Sequence, residues 1–241
     1  MSHLSSLMKK LIYLFISVCC TCTAFAQQSK TVVLTFDDGV ESQYKFVAPL
    51  LKQYGFGATF YICEFPGVYP DSALAMSWKQ IGELSKMGFE IGNHTRTHAL
   101  LKSSNEQELT YVELKCDSLG IPKPTTYAYP GYVVDSSCFA ILKRHGYTSA
   151  RIGGNKPYTI SADDAYLIPS FTIWDGTGNL FYDALKQADK GKIIVFTFHG
   201  VPDKPHPWVT TDQNRFKILM QYLKDNHYKV IAMRDLKLPE K

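Results

Sequence analysis

At 241 residues the chain has enough sequence for one full hydrophobic core. Its 26 Lys and Arg against 22 Asp and Glu give a net charge of +4, too small to mark a nucleic-acid or anionic-surface binder. No internal repeat or low-complexity tract follows the first 26 residues, which excludes solenoid and linker-array organisations.

The N-terminus reads as a targeting segment. Lys9 and Lys10 precede an apolar run over 11–20, and small residues follow at Ala24-Phe25-Ala26. That order of charged, apolar and small parts describes a secretory signal peptide over 1–26, cleaved after Ala26, with one domain over 27–241. The apolar run is too short to span a bilayer as a mature helix. The mature chain is therefore expected outside the cytoplasm, periplasmic or extracellular, with no transmembrane segment. Cys19, Cys20 and Cys22 raise a lipoprotein anchor as a rival, which ranks second because none follows Gly, Ala or Ser. Losing Lys9 and Lys10 takes the 26 basic residues to 24 and the net charge to +2. Cys63, Cys116 and Cys138 remain, an odd number that permits at most one bridge. Cys116 shares an apolar helical stripe with Leu109, Val112 and Leu119 and reads as a small buried hydrophobe.

From residue 31 onward, strand-like and helix-like segments alternate. Residues 31–36 form a β-branched apolar strand, and 40–54 a helix with Tyr44, Val47, Leu51 and Tyr54 on one face and Gly55 as its stop. A second strand covers 58–63. Ser77 opens a helix with a capping box to Gln80, and residues 89–91 return as a third strand. Ser104 is expected to cap a helix over 109–119. Strands at 125–129, 147–152 and 167–173 are separated by a helix over 136–145. A helix over 180–188, a buried strand over 192–198, a helix over 211–225 and a strand over 228–232 complete the pattern. Repeated βα units imply a parallel sheet, and uninterrupted apolar strands imply burial on both faces. About seven units in this length suit a closed or nearly closed barrel, with a doubly wound sheet as the alternative. In both, chemistry gathers where strands end.

Four polar sites fall just after predicted strand ends: Asp37-Asp38, His94 with His98, Pro130, and His199. Adjacent carboxylates repel unless a cation neutralises one of them. Two imidazoles at spacing four, which a helical turn would place on one side, supply further ligands. One carboxylate and two histidines make three protein ligands with a position left for water, and the second carboxylate is then a free base.

These residues carry a family resemblance. Thr35-Phe36-Asp37-Asp38-Gly39 resembles the first motif of the polysaccharide deacetylases, the NodB homology domain of carbohydrate esterase family 4. His94-Thr95-Arg96-Thr97-His98 resembles the second, and Phe198-His199-Gly200 is similar to the fifth. The likeness runs from about Thr31 to Leu236. It implies an α/β fold, a distorted and incompletely closed (β/α) barrel of about seven parallel strands. It also implies a hydrolase that removes acetyl groups from a glycan, most readily the N-acetyl group of a hexosamine. An O-acetyl esterase acting on xylan-like polysaccharide, or an inactive metal-holding glycan-binding module, are the alternatives. By position, Asp38, His94 and His98 would hold a divalent metal, zinc first, with cobalt and other divalent ions as options. Asp37 would be the general base and His199 the acid. The backbone N–H of Gly131 would face the oxyanion, with Pro130, Tyr132 and Trp174 at the substrate. Tyr129 and Trp208 are further aromatic faces a sugar ring could meet.

The departures are as informative. The third family motif carries an arginine two residues before its proline, and here that position is Ala128. Arg151, at the end of another predicted strand, is the candidate to orient Asp37 in its place. The fourth motif is not clearly matched, Trp174-Asp175 being nearest, and the usual leucine of the fifth motif is Thr197.

Overall fold

In a computed structural model the chain is described over residues 30–64, 74–189 and 191–238; the expected signal peptide lies outside them. The strands are β1 (Thr31–Phe36), β2 (Thr59–Ile62), β3 (Glu90–Asn93), β4 (Thr126–Ala128), β5 (Ser149–Arg151), β6 (Tyr158–Thr159), β7 (Phe171–Thr172), β8 (Lys192–Phe198) and β9 (Lys229–Ile231). The helices are α1 (Ala48–Tyr54), α2 (Trp78–Lys86), α3 (Gln107–Ser118), α4 (Cys138–Arg144), α5 (Leu180–Leu185) and α6 (Gln213–Asp225).

The strands join in the order β5-β4-β3-β2-β1-β8-β6, with β7 beside β8 and β9 beside β1. Every pairing is parallel except the short β6–β8 ladder. Ile168 draws the ring together. Its N–H donates to the Ala150 carbonyl (2.9 Å) and its own carbonyl accepts the Ile152 N–H (2.8 Å). Three residues later β7 pairs with β8. The result is a distorted, incompletely closed (β/α) barrel of seven strands, β1–β5, β7 and β8, whose join between β5 and β7 rests on the isolated bridge at Ile168; β6 and β9 add to its edges.

Strand alternation divides the residues between two environments. On β1, Val32, Leu34 and Phe36 face the surrounding helices and share a core with Val47 and Leu51 near α1 and Phe216 and Leu219 of α6. Phe60, Ile62, Ile91, Ile194, Phe196 and Phe198 occupy the same layer. Phe36 stacks on Phe60 and Phe198, with centroids 5.1 and 5.7 Å away, and meets the edge of Phe216 at 5.9 Å. Truncating such a buried ring costs about 3–5 kcal/mol. The alternate residues turn into the barrel, where buried hydroxyls pair: Thr35 with Thr197 (3.1 Å), and Thr197 with Ser170 (2.9 Å). At Gly92 a β-carbon would stand 2.4 Å from the Tyr61 ring, so only glycine fits that register.

Several expectations need correction. The stretch at 40–54 is not one α-helix: a π-helical turn over Gln43–Val47 precedes α1, which Gly55 ends at φ 71°. Ser104 does not cap α3, whose N-cap is Glu106, whereas the Ser77–Gln80 capping box forms. The strand at 167–173 is broken into a 3-10 turn, the Ile168 bridge and β7, because Pro169 offers no N–H to a ladder. The antiparallel β6 was not anticipated. The three described cysteines are buried and free. Among the described residues no helix is long and apolar enough to cross a membrane.

Candidate active site

The alternation that sends Thr35 inward sends Asp37 inward two residues later. The same parity brings Arg151 from β5, His94 from beyond β3 and His199 from beyond β8 to one end of the barrel. Together with Asp38, His98, Gly131, Tyr132, His206, Trp208 and Val209, the residues Asp37, His94 and His199 line a cavity of about 240 Å³. A larger groove of about 670 Å³, lined in part by Lys45, Phe46 and Lys204, holds none of these side chains.

Asp38 leaves the strand alternation. Its φ of 73° is left-handed, and Gly39 follows at 64°. That turn aims its carboxylate at the histidines: His94 Nε2 lies 3.5 Å and His98 Nε2 3.7 Å from Asp38 Oδ1, and His199 Nε2 lies 3.9 Å from Oδ2. The histidines do not share a helical turn, as their spacing suggested. A loop carries them, because Thr95 (φ 62°) and His98 (φ 58°) fold the backbone back on itself. The rings meet edge to face with centroids 4.8 Å apart. His94 Nδ1 lies 2.8 Å from the Ala128 carbonyl, which accepts its proton and fixes the ring with Nε2 toward Asp38.

One ligand atom each from Asp38, His94 and His98 falls within 4.8 Å of the others. Ligands at about 2.0–2.2 Å from a tetrahedral ion stand about 3.3–3.6 Å apart; the two Asp38–histidine separations, 3.5 and 3.7 Å, are close to that, and the donor chemistry suits a divalent metal. The electrostatics agree. Burial alone would raise the Asp38 pKa, but the bond to His94 and the charges of His199, His94 and His98 outweigh it and hold the carboxyl below the usual carboxylate range. Burial lowers the His94 pKa, yet Asp37 and Asp38 reverse that shift. Burial and the neighbouring His94 push His98 down to about 4, leaving it neutral near pH 7. Two carboxylates here favour a positive charge between them.

Asp37 has a different partner. Arg151 Nη2 donates to both of its oxygens, at 2.8 and 2.6 Å, and both side chains are buried. The guanidinium lies between two aromatic faces, 5.3 Å from the centroids of Tyr61 and Tyr132, and Nη1 reaches Ser170 Oγ at 3.4 Å. Arg151 is the register partner of Ala128 across the β4–β5 pair. The arginine missing at 128 is therefore present at the same level, one strand over, and the small Ala128 leaves the interior to it.

Pro130 is buried and lies outside the cavity lining. Trp174 also lies outside it. Its ring is so close to Gly176 that a β-carbon there would sit 1.9 Å away, and Asp175 accepts the Asp212 N–H that precedes α6. Trp174 thus stands apart from the cavity lining, where Tyr132 and Trp208 are found. Sequence reasoning missed Gln43, which is fully buried and donates Nε2–H to the carbonyls of Asp37 and, at 3.3 Å, His199. It also missed the Ala128 carbonyl and the Cys63 thiol, which donates to Asp38 Oδ1 at 3.9 Å. A backbone acceptor leaves no trace in residue identity. Gln43 had one available signal, a long amide beside the apolar helix face.

The fold and this site point to the same class of barrel as the sequence motifs. The polysaccharide deacetylase family profile matches residues 26–150, and the chain belongs to that family. It is 30% identical over 122 residues to the peptidoglycan-N-acetylglucosamine deacetylase of Bacillus cereus, covering 49% of this chain and 54% of that protein. The chain spans about half the length of the curated relatives it matches. Among solved structures, Bacillus subtilis PdaA, a family 4 carbohydrate esterase, superposes with a TM-score of 0.57 at 23% identity, over 86% of this chain and 80% of that one. A family 4 carbohydrate esterase from Bacillus anthracis gives 0.55 at 17% identity, over 86% and 82%. These likenesses establish the shared fold.

Proposed function

We propose that the protein is a metal-dependent hydrolase that removes acetyl groups from a carbohydrate, acting on N-acetylhexosamine residues of a glycan. The observation that carries this reading is the convergence, in one cavity, of the Asp38–His94–His98 donor triangle, an Arg151-held Asp37 and His199. The match to a peptidoglycan deacetylase supports the N-acetyl class over an ester.

Asp38, His94 and His98 would hold the ion, zinc in the first instance. A divalent ion there supplies Lewis acidity toward water and the acetyl carbonyl. Asp37 takes the proton of the attacking water, with Arg151 fixing the direction of both carboxylate oxygens. Gly131 lines the cavity in left-handed backbone (φ 59°), and its N–H is the donor for the developing oxyanion. His199 gives its proton to the leaving nitrogen, which departs poorly as an anion. Tyr132 and the exposed Trp208 offer flat faces to a sugar ring. The reading of a module that has lost catalysis rests on Ala128 and on the unmatched fourth motif, and the Arg151–Asp37 pair answers the first of these.

Acetate release from N-acetylglucosamine oligomers and from acetylated xylan, with zinc and after chelation, tests this reading. Zinc-dependent release from the first substrate is expected. Release from xylan alone would move the function to an O-acetyl esterase, and glycan binding without release under any divalent metal would overturn the enzyme. We also place the mature chain outside the cytoplasm, on the strength of Lys9-Lys10, the apolar run and Ala24-Phe25-Ala26. N-terminal sequencing should find Gln27 first; an acylated Cys19, Cys20 or Cys22 would replace cleavage at Ala26 with lipid anchoring.

A further inference from the structure

The loop bearing His94 and His98 passes twice through left-handed backbone, at Thr95 and His98. Non-glycine residues keep that conformation where their surroundings hold it. Near His94 the hold is plain: its N–H donates to the Ile62 carbonyl at 3.1 Å, and Nδ1 engages Ala128. Near His98 the hold comes from α3. Glu108 Oε2 accepts both the Thr97 N–H (2.8 Å) and the Thr97 hydroxyl (3.0 Å), and the Glu108 carbonyl accepts the Arg96 N–H (3.0 Å). A second arm closes from β2. The Glu64 N–H donates to the Arg96 carbonyl at 2.7 Å, and its carboxylate accepts Arg96 Nε–H at 3.3 Å. The same carboxylate takes Trp78 Nε1–H (2.8 Å) and the Tyr111 hydroxyl (2.7 Å), while the Arg96 guanidinium lies 4.1 Å from the Tyr111 ring centroid.

We propose that Glu108 is a positioning residue for the metal ligands, with the Glu64–Arg96 pair as its second arm. It fastens Thr97 through both its backbone N–H and its hydroxyl and so decides where His98 Nε2 stands relative to Asp38, now 3.7 Å away. The clamp lies outside the cavity lining and touches no reacting atom. This inference rests on the metal-site reading above, and zinc affinity measured directly keeps the two apart.

The experiment is competition for zinc between the purified full-length protein and a chromophoric chelator, with the visible absorption of bound cobalt as a report on ligand geometry. Glu108→Ala should weaken zinc binding about 10–100-fold, the range typical when an outer-shell partner is lost. It should also alter the cobalt spectrum. Glu108→Gln keeps an oxygen acceptor for Thr97 and should restore most of the affinity. Thr97→Val removes only the hydroxyl arm, leaves the helix intact and should give a smaller loss, so the inference stands or falls even if Glu108→Ala folds poorly. Glu108→Ala or Thr97→Val that is less heat-stable without metal, yet binds zinc as tightly as the wild type with an unchanged cobalt spectrum, would show a purely structural role and overturn the proposal. Wild-type protein that fails to bind zinc or cobalt at one ion per chain would overturn the metal site and the clamp together.

Discussion

Asp37 and Asp38 are neighbours in the chain and belong to two differently built halves of the site. Asp38 leaves the strand through a left-handed turn and meets His94 and His98, which a second short motif delivers together. Asp37 continues the strand alternation into the barrel and meets Arg151, 114 residues away on β5. The ligand half is assembled from two compact motifs. The base half is assembled from strand register, and its arginine sits on the strand next to the one where the family motif carries it. The contrast teaches that strand register can seat a charge at the same level inside the barrel from a neighbouring strand.

The largest effect is expected on the ligand side. His94→Ala should lose the metal and with it several kcal/mol of transition-state stabilisation, about 10³-fold or more in kcat/KM. Metal content and acetate release, measured on the same sample, check this together. Asp37→Asn should lower kcat by about 10²–10⁴-fold while zinc stays bound. If Asp37→Asn also lost the metal, the two aspartates would not have separate roles.

Arg151→Ala comes next and acts on stability as well as rate. It strands the Asp37 carboxylate in the interior, where breaking a buried pair costs about 3–5 kcal/mol. Urea unfolding should show that loss, and adding Asp37→Asn should recover part of it because no charge is then left unpaired. The exchange Ala128→Arg with Arg151→Ala tests the register argument itself. Partial recovery of kcat over Arg151→Ala alone is expected, and no recovery would mean that the level of the arginine in the barrel is not what matters.

The smallest effect lies far from the site. His145 Nε2 contacts Glu106 Oε1 at 2.6 Å, and Nδ1 contacts Glu113 at 3.0 Å, joining α4 to α3. Burial lowers its pKa, but the bonds and charges of Glu106 and Glu113 outweigh that and raise it above the ordinary 6.5. The protonated form is the one the fold favours. Its stabilisation is complete below about pH 6.5 and fades as pH rises through the folded-state value. Urea midpoints at pH 5.5 and 8.5 should therefore fall with pH by a small amount, and His145→Gln should flatten that slope.

Much of this was legible in the chain. The βα alternation, the buried parallel strands and the Ser77–Gln80 cap follow from hydrophobic period and capping chemistry, which act over a few residues. The donor set was legible because each half of it is compact. Less accessible was how the histidines meet: spacing four suggested a helical turn, and left-handed residues at Thr95 and His98 do the work instead. The packing of Trp174 on Gly176 has no sign in the sequence, because an aromatic residue after a strand looks the same whether it faces a cavity or a backbone. The apolar stripe over 40–54 reads as one helix because a π-helical turn hardly disturbs it.

By itself, then, the sequence determined the residue chemistry: two adjacent carboxylates, two histidines at close spacing, a histidine after the last long strand, and a barrel-forming order of elements. These are local properties, set by side-chain type and by periods of two and 3.6 residues. The motif resemblance already divided the two aspartates and named Arg151 for Asp37; only the tertiary structure decided that the Ala128 carbonyl orients His94 and that Arg151 lies beside Tyr61 and Tyr132 with both oxygens of Asp37 in reach. Those contacts depend on strand register and on left-handed turns, which bring together residues whose separation along the chain carries no sign of their meeting.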